Sequence, residues 1–377
     1  MWRRVHRAPA DYCMGYDEAM SFKNLLIYGE KCCNGGRWKT STQMFEINIL
    51  QWIGSERKKI EEKKHFFRGT NDFYLKERGK KRHIRSHQII DRAVLKSYCR
   101  FSLIPATAPI VMPTNTASQE GKGTEQAIKQ FRQALAHAWR KYGRDFYVIT
   151  WDFHDYFGSI PHEKALNIIG GRLRDPRDIE VLEKYTDLFP GGIGYGIGGE
   201  PSQVISIAYP SSLDRMVACD PNVLGNGRYM DDGWAVVHRI EDARILLEKI
   251  KTTVTGKLGI ALNYKSTRIF WMETDSVTYL KKRTRLDANG KIVMRIVRKN
   301  IATRHRLTRK QKREYDAGNM PFEAIEQSMQ CWLSYSRPYQ SDSARWRIAR
   351  EYAELFDQDW NHVKKLMRGA KKHRKAV

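Results

Sequence analysis

Gly227 to Val237 read Gly-Arg-Tyr-Met-Asp-Asp-Gly-Trp-Ala-Val-Val, so that two adjacent carboxylates stand between two aromatic or apolar segments. This pattern predicts a strand, a tight turn and a second strand, with Asp231 and Asp232 at the tip of the hairpin. Two like charges held side by side repel unless cations lie between them. Asp is also common in ordinary turns, because its side chain hydrogen-bonds to the local backbone. The pair by itself therefore leaves both a polar turn and a cation site open.

The composition favours a globular protein that binds a polyanion. A chain of 377 residues with 41% hydrophobic and 11% aromatic residues can form two or three packed units. Lys and Arg number 67 against 42 Asp and Glu, which gives a net charge of +25. Nucleic acid is the first candidate partner for such a charge, and an anionic membrane surface is the alternative. A mean hydropathy of −0.62 and the lack of an apolar run of 18 residues argue against a membrane-spanning segment.

The beginning of the chain and the cysteines predict a reduced, cytoplasmic protein. Met1 to Arg7 carry charge with no apolar run behind them, which is not the pattern of a secretory signal. The cysteines have neither C-x-x-C pairs nor metal-finger spacing, so we expect free thiols. They are Cys13, Cys32, Cys33, Cys99, Cys219 and Cys331.

A third acid and a glycine-rich loop precede the hairpin. An apolar strand from Tyr147 to Trp151 should deliver Asp152 at its carboxyl end, where a carboxylate is costly unless it is paired or binds a metal. Gly191 to Gly199 form a loop that leads into a helix expected from Val204 to Met216. Small residues and helix amides let backbone approach a phosphate or a base pair. No Gly-Lys-Ser/Thr follows, so this is not a Walker A loop.

Helices and basic hairpins fill most of the remaining chain. A basic hairpin spans residues 73–85, and either a solvated loop or a cation cluster for phosphates would explain it. A second basic hairpin centres on residues 287–290, and a helix is expected to begin near Leu307. Helical patterns cover residues 17–30, 41–53, 89–95, 125–142, 163–189, 240–258 and 321–367, and a basic tail follows at 371–375.

Four motifs, in this order and spacing, resemble those of prokaryotic reverse transcriptases, over about residues 20–300. They are Asp152-x-x-x-Tyr156-Phe157-x-Ser159-Ile160-x-His162, Gly198-x-x-x-Ser202-Gln203, Tyr229-Met230-Asp231-Asp232 and Leu258-Gly259-x-x-Leu262-Asn263-x-Lys265. Upstream segments fit the fingers motifs of that family, namely Lys81-Arg82 with Asp91-Arg92, and Gly121-Lys122-Gly123-Thr124.

The resemblance implies an α+β fold of the right-hand polymerase type. Residues 1–64 would be a helical N-terminal extension and 65–145 the fingers. Residues 146–280 would be the palm, an antiparallel sheet against helices, and 281–377 a basic hairpin with a helical thumb.

It also implies an RNA-directed DNA polymerase that uses two Mg²⁺ ions, with Mn²⁺ as a substitute. Asp152 and Asp231 would bridge the ions, the Phe153 carbonyl would complete one of them, and Asp232 would be the third acid. Lys265 would protonate the leaving pyrophosphate, although Ser266 stands where the family more often has the lysine of a Lys-Thr pair.

Other residues would bind the nucleotide and the template. A bulky Phe157 under the incoming sugar would favour dNTPs over NTPs, while a core aromatic is the alternative for this residue. The triphosphate would contact Lys81, Arg82 and Arg92, and the template strand would contact Ser202 and Gln203. The primer-grip motif, usually Phe-Leu-Gly, has Val277 to Lys281 as its nearest match, with a lysine in place of the glycine.

The form Ile197-Gly198-x-x-x-Ser202-Gln203 is similar to stand-alone, defence-associated and diversity-generating retroelement enzymes, which are related to group II intron reverse transcriptases. The first hypothesis is an antiphage enzyme that copies a dedicated, structured non-coding RNA, with an RNA–DNA duplex and dNTPs as further partners, no membrane partner, and an oligomer as one option. The second is a retroelement polymerase. A third, from another class, is a non-catalytic RNA-binding protein on a polymerase scaffold.

Overall fold

The computed structural model describes residues 15–77 and 80–368, with the backbone alone at residues 77 and 80. The chain forms two compact units. The first comprises the described residues up to Ala134 together with Ile149–Ile269, and the second comprises Leu135–Val148 and the described residues from Phe270 onward. The expectations for the first seven residues, Cys13 and the basic tail lie outside the described residues. The division into four polymerase subdomains stays a prediction.

The described residues form a mixed α+β structure with three short, separate sheets. In the first unit the chain forms α1 (Gly15–Ala19), α2 (Phe22–Cys33), α3 (Thr40–Ile47), α4 (Ile49–Glu61), β1 (Thr70–Glu77), β2 (Lys80–His87), α5 (Ile89–Tyr98), α6 (Ile104–Thr107), α7 (Thr124–Tyr142), β3 (Tyr147–Trp151), α8 (Tyr156–Ser159), α9 (His162–Gly170), α10 (Pro176–Thr186), α11 (Glu200–Ala208), α12 (Ser211–Ala218), β4 (Val223–Tyr229), β5 (Asp232–Val237), α13 (Ile240–Thr252) and β6 (Arg268–Trp271). A π-helical turn, Cys99–Leu103, a 3₁₀ turn, Ala108–Ile110, and a second π-helical turn, Thr253–Leu258, connect some of them. The elements α7, β3 and β6 run across a boundary between the units.

The central four-stranded sheet has the order β4-β5-β3-β6. Strands β4 and β5 pair antiparallel with Tyr229 opposite Asp232, which confirms the predicted hairpin. Strand β5 is apolar and buried from Trp234 to Val237 because it lies between two other strands. The ring of Phe131, on α7, meets Trp234 edge-on at a centroid distance of 5.0 Å, so a helix covers this part of the sheet.

A buried arginine fixes the hairpin to the helices beside it. Arg228 is 2% exposed and forms a two-pronged ion pair with Asp214 on α12, at 2.7 Å from Nε and 2.8 Å from Nη2. Its remaining donors reach the carbonyl oxygens of Met230 and Ile207, each at 2.7 Å. Because all of these acceptors are needed to compensate a guanidinium removed from water, the network specifies one position for the hairpin turn.

The second unit contains a sheet with the order β7-β8-β9 and a helical bundle. Its elements are β7 (Val277–Tyr279), β8 (Lys282–Leu286), β9 (Ile292–Ile296), α14 (Arg298–Asp316), α15 (Phe322–Ser336), α16 (Asp342–Leu355) and α17 (Trp360–Arg368). The helical core is formed by apolar side chains of the last three helices, with Met329, Ile348 and Val363 fully buried. No helix within residues 15–77 and 80–368 is long and apolar enough to cross a membrane.

The expected start of one helix was wrong. Helix α14 begins at Arg298, not near Leu307. Lys and Arg are good helix formers, so a basic segment can be helical without an apolar stripe. The buried side chains of this helix are Arg304, Thr308 and Gln311, and these polar residues gave no hydrophobic period to detect.

Replacing Arg228 by alanine should destabilise the first unit by about 3–5 kcal/mol, because Asp214 would be left buried without its cation. Urea unfolding, followed by tryptophan fluorescence, measures the loss as a lower transition midpoint. Arg177 provides the control, since it also binds two aspartates, Asp17 and Asp175, but its side chain is 45% exposed. Arg177→Ala should lower the stability by no more than about 1 kcal/mol. Equal losses in the two variants would contradict this account of Arg228.

Candidate functional site

The two carboxylates of the hairpin lie at a strained turn. Because Tyr229 faces Asp232 in the ladder, Met230 and Asp231 are its two loop residues. Met230 has a φ of +57°, a value that two-residue hairpin loops require and that glycine usually supplies. A methionine there carries backbone strain, which is typical of functional sites and persists only where the surroundings hold it. The Arg228 hydrogen bond to the Met230 carbonyl is such a restraint.

The third predicted acid follows the neighbouring strand. Asp152 comes directly after β3, which lies next to β5 in the sheet. Gly233 packs so closely on Trp151 that a Cβ at Gly233 would lie 2.1 Å from the indole Cε2. In the chain, Asp232 directly precedes Gly233 and Asp152 directly follows Trp151. The structure thus brings the tip of the hairpin and the end of β3 to the same part of the sheet.

Asn263 positions Asp152, and this role was missed in the sequence. Its side-chain amide donates to Asp152 Oδ2 at 2.8 Å, and its backbone N–H donates to the Asp152 carbonyl at 2.8 Å. Beside this contact, Phe153 and Leu262 form an antiparallel β-bridge. The only signal for this contact was the Leu-Asn pair within the motif that ends at Lys265, and the pattern did not assign the asparagine a role.

The carboxylate of Asp231 affects the pKa of a tyrosine that is buried beneath the hairpin. Burial raises the pKa of the Tyr156 hydroxyl, the cation of Arg228 opposes that shift, and the carboxylates of Asp214 and Asp231 add to it. Burial also lowers the pKa of Arg228, but the ion pair with Asp214 outweighs this effect and the pKa is raised overall. The Tyr156 hydroxyl donates to the Ser206 carbonyl at 2.5 Å, which keeps it neutral and in place.

The three acids do not form a preassembled metal cage. Within the described ranges, no group of three or more His, Cys, Asp or Glu side chains is placed to hold a metal ion. Mg²⁺ does not need such a cage, since it commonly binds one or two carboxylates together with substrate phosphates. The hard oxygen donors of Asp152 and Asp231 suit an ion that arrives with a nucleotide, and Asn263 already occupies one oxygen of Asp152.

The glycine-rich loop contacts protein backbone closely. A Cβ at Gly194, where φ is +83°, would lie 2.7 Å from the Gly158 carbonyl oxygen. The neighbouring Tyr195 N–H donates to the Phe157 carbonyl at 2.6 Å, and the Gly194 carbonyl lies 2.8 Å from His162 Nε2. These glycines let the loop pack against the segment after Asp152. Phe157 is half-buried there, with its ring 6.0 Å from that of Tyr156.

Ser202 and Gln203 lie in different environments. Ser202 is fully buried, and its hydroxyl hydrogen-bonds to the Tyr185 hydroxyl at 2.6 Å. Gln203 is exposed and lines a cavity of about 380 Å³ together with Arg92, Glu200 and His87. The structure therefore places Gln203, and not Ser202, where a ligand can reach it. The nucleotide-binding roles of both residues stay predictions.

The basic candidates are exposed. The amine of Lys81 lies 3.9 Å from the centroid of the Tyr74 ring, and Arg82 is its exposed neighbour in β2. Lys265 is exposed in the turn after Asn263, and its backbone N–H donates to the Asn263 Oδ1 at 3.3 Å. Arg92 is exposed on α5.

His87 lines the same cavity and was not identified from the sequence. It is 3% exposed, and neither ring nitrogen has a hydrogen-bond partner in the described part of the chain. Burial, and next the charge of Arg92, lower the pKa of its imidazole to about 4, so it is neutral at pH 7. No local pattern sets this histidine apart from the others in the sequence.

The comparison with known proteins gives weak likeness only. No family model and no curated protein matches this chain. The apo telomerase of Candida tropicalis, truncated from the C-terminal domain, is similar with a TM-score of 0.45 and 11% identity, over 64% of this chain and 59% of that chain. The telomerase of Candida albicans, in complex with a TWJ fragment of telomeric RNA, is similar with a TM-score of 0.46 and 9% identity, over 84% of this chain and 64% of that chain. This chain thus spans less than two thirds of either telomerase chain, and neither likeness assigns it to a family.

Proposed function

We propose that this chain is an RNA-directed DNA polymerase that transfers nucleotides at Asp152, Asp231 and Asp232. The observation that carries the proposal is the meeting of a strained, acid-tipped hairpin with the acid-bearing end of the neighbouring strand. The close packing of Trp151 on Gly233 supports it, because only glycine at 233 leaves room for the indole, and this contact joins the two strands next to Asp152 and Asp232. A polar turn without function would have no need for the strain at Met230 or for the buried arginine that restrains it.

The carboxylates would hold two Mg²⁺ ions, or Mn²⁺ in their place. Such ions, when bound, activate the primer 3′-hydroxyl and neutralise charge on the phosphates. Asp152, Asp231 and the Phe153 carbonyl would hold the ions, and Asp232 would be the third acid. Asn263 would keep Asp152 from rotating, because its amide is hydrogen-bonded to one carboxylate oxygen. Catalysis would then consist mainly of positioning and charge neutralisation.

The surrounding side chains would bind the substrates. Exposed Lys81, Arg82 and Arg92 would contact the triphosphate, and exposed Lys265 would donate a proton to the leaving pyrophosphate. Gln203 would contact the template strand. Buried Ser202 would act through the position of α11, since its hydroxyl is engaged by Tyr185.

The biological role that we favour is the copying of a dedicated non-coding RNA in defence against phage. It rests on features that look more like the stand-alone group, namely Tyr229-Met230-Asp231-Asp232, the loop Gly121-Lys122-Gly123-Thr124, and the basic hairpin followed by helices after residue 280. Sequencing the RNA and the cDNA that co-purify with the protein would test it. One bound RNA copied faithfully would support the defence role, whereas adenine-specific errors would favour a diversity-generating retroelement.

The substitution pair Asp231→Asn and Asp232→Asn should reduce primer extension to background, because two of the carboxylates that would hold the metal ions lose their charge. The measurement uses an RNA template, a DNA primer, dNTPs and Mg²⁺. Asp152→Asn alone should have an effect of similar size, since residues that act as a unit are not additive. RNA binding and the thermal midpoint should stay close to those of the unchanged protein.

Asp155→Asn is the matched control. Asp155 is an exposed acid three positions after Asp152, with a φ of +42° that asparagine tolerates. This variant should keep its activity. Extension that survives the paired substitution would contradict the polymerase proposal, and a fully folded, RNA-binding protein that never extends a primer would favour the non-catalytic alternative.

Phe157→Ala should weaken the preference for dNTPs by about 10-fold to 200-fold, the range of one apolar steric contact. The ratio of kcat/KM for dCTP and CTP measures the change. Phe66→Ala, which removes a 63% exposed ring, should leave the ratio unchanged. If the two variants have the same ratio, Phe157 is a core aromatic without a role in sugar selection.

A further inference from the structure

One face of the β7-β8-β9 sheet carries three arginines and no acid. Burial alternates along β8, so that Arg283 and Arg285 are exposed while the residues on either side of them are buried. Arg295 on β9 is exposed in the same way. The remaining members of this face are Thr278 and Val293, by the register of the three strands. We refer to it as the arginine face.

The arginines of this face lie close enough to repel one another. Arg283 lies directly opposite Arg295 in the antiparallel ladder, and like charges in this position destabilise a sheet. Arg285 is two residues along the same strand, about 7 Å away. Arg283 donates from Nε to the Ser276 hydroxyl at 2.7 Å, and none of the three forms an ion pair with a carboxylate anywhere in residues 15–77 or 80–368. A polyanion bound to the face would relieve this repulsion.

The opposite face of the sheet and its edge along β9 are covered by other parts of the second unit. On the buried side the Lys282 ammonium lies 4.3 Å from the Tyr335 ring centroid and 4.7 Å from that of Tyr339. Along the edge of β9, Met294 N–H donates to Gln340 Oε1 at 2.7 Å and its carbonyl accepts from Gln340 N–H at 2.9 Å. A partner therefore cannot add a strand to β9 at Met294. The arginine face is the exposed face of this sheet.

We propose that the arginine face binds the sugar–phosphate backbone of RNA. The planar guanidinium forms paired hydrogen bonds with phosphate oxygens, which suits a backbone contact better than an ammonium does. The face has no aromatic side chain on which bases could stack and no bulky apolar residue that would enter a lipid surface. The choice of RNA over DNA rests on the proposed function, in which RNA is the strand that is copied.

The test is the salt dependence of RNA binding by the full chain and by a variant with Arg283→Gln, Arg285→Gln and Arg295→Gln. Fluorescence anisotropy of a labelled RNA hairpin, without dNTPs, gives the affinity at several NaCl concentrations. Each lost phosphate contact lowers the slope of log K against log salt by about 0.7–0.9, so the triple variant should lower it by about 2 to 3. Its thermal midpoint should not fall, because the opposed charges are removed. Arg295→Thr alone should lower the slope by about one, and it provides the test if the triple variant does not fold.

The control removes the same charge from cations that are already paired. Lys58, Lys64 and Lys251 each lie beside a glutamate, at 3.9, 2.8 and 2.6 Å. Their replacement by glutamine should change the slope by much less than the arginine variants do.

Equal changes in both variants, or no change for the arginine variants, would overturn the proposal. A slope that falls for a DNA hairpin of the same sequence but not for RNA would overturn the assignment to RNA. Primer extension is measured separately, so a wild-type protein that binds through this face without synthesis would refute only the proposed function.

Discussion

The buried ion pair between Arg228 and Asp214 is the constraint on which the position of the two tip carboxylates depends. Both charges are taken out of water, and the pair is tolerated because each nitrogen of the guanidinium has an acceptor. One of those acceptors is the carbonyl of Met230, the non-glycine residue at positive φ that turns β4 into β5. The energy that compensates the buried charge thus also holds the strained turn. The carboxylate of Asp231 is thus positioned by the buried ion pair of Arg228 and Asp214, through the hydrogen bond of Arg228 to the preceding carbonyl.

The parts of the site that local patterns determine could be predicted from the sequence. The hairpin and the strand before Asp152 follow from apolar runs that end in acids, and both are confirmed. The remaining features depend on contacts between distant segments. Serine is usually exposed, yet Ser202 is fully buried and its hydroxyl hydrogen-bonds to that of Tyr185. The end of β3 is held by Asn263, and no periodicity links the two. The start of α14 was missed for a different reason, because its buried positions are polar.

The positive charge of the chain serves at least two different purposes. Arg228 is a structural cation, fully enclosed and matched to a carboxylate. Arg283 and Arg295 face each other in a ladder without such a match, where their charge is available to a ligand. Composition alone gives a net charge of +25 and cannot separate these cases, because the difference lies in burial and in the partner of each guanidinium. The strand register and the burial of each arginine therefore decide which of these cations can bind a nucleic acid.

Metal-directed cleavage tests most directly whether Asp152 and the hairpin tip form one site. Fe²⁺ bound in place of Mg²⁺ reduces added hydrogen peroxide to hydroxide and a hydroxyl radical, which cuts the backbone near the ion, and added ascorbate returns the Fe³⁺ to Fe²⁺. In the presence of RNA template, primer and dNTP, the account predicts cuts both next to Asp152 and next to Asp231, and the loss of both sets in Asp152→Asn. Cuts at only one of these segments, or cuts that persist at the hairpin after Asp152→Asn, would show that the two acids do not share a metal site and would contradict the account.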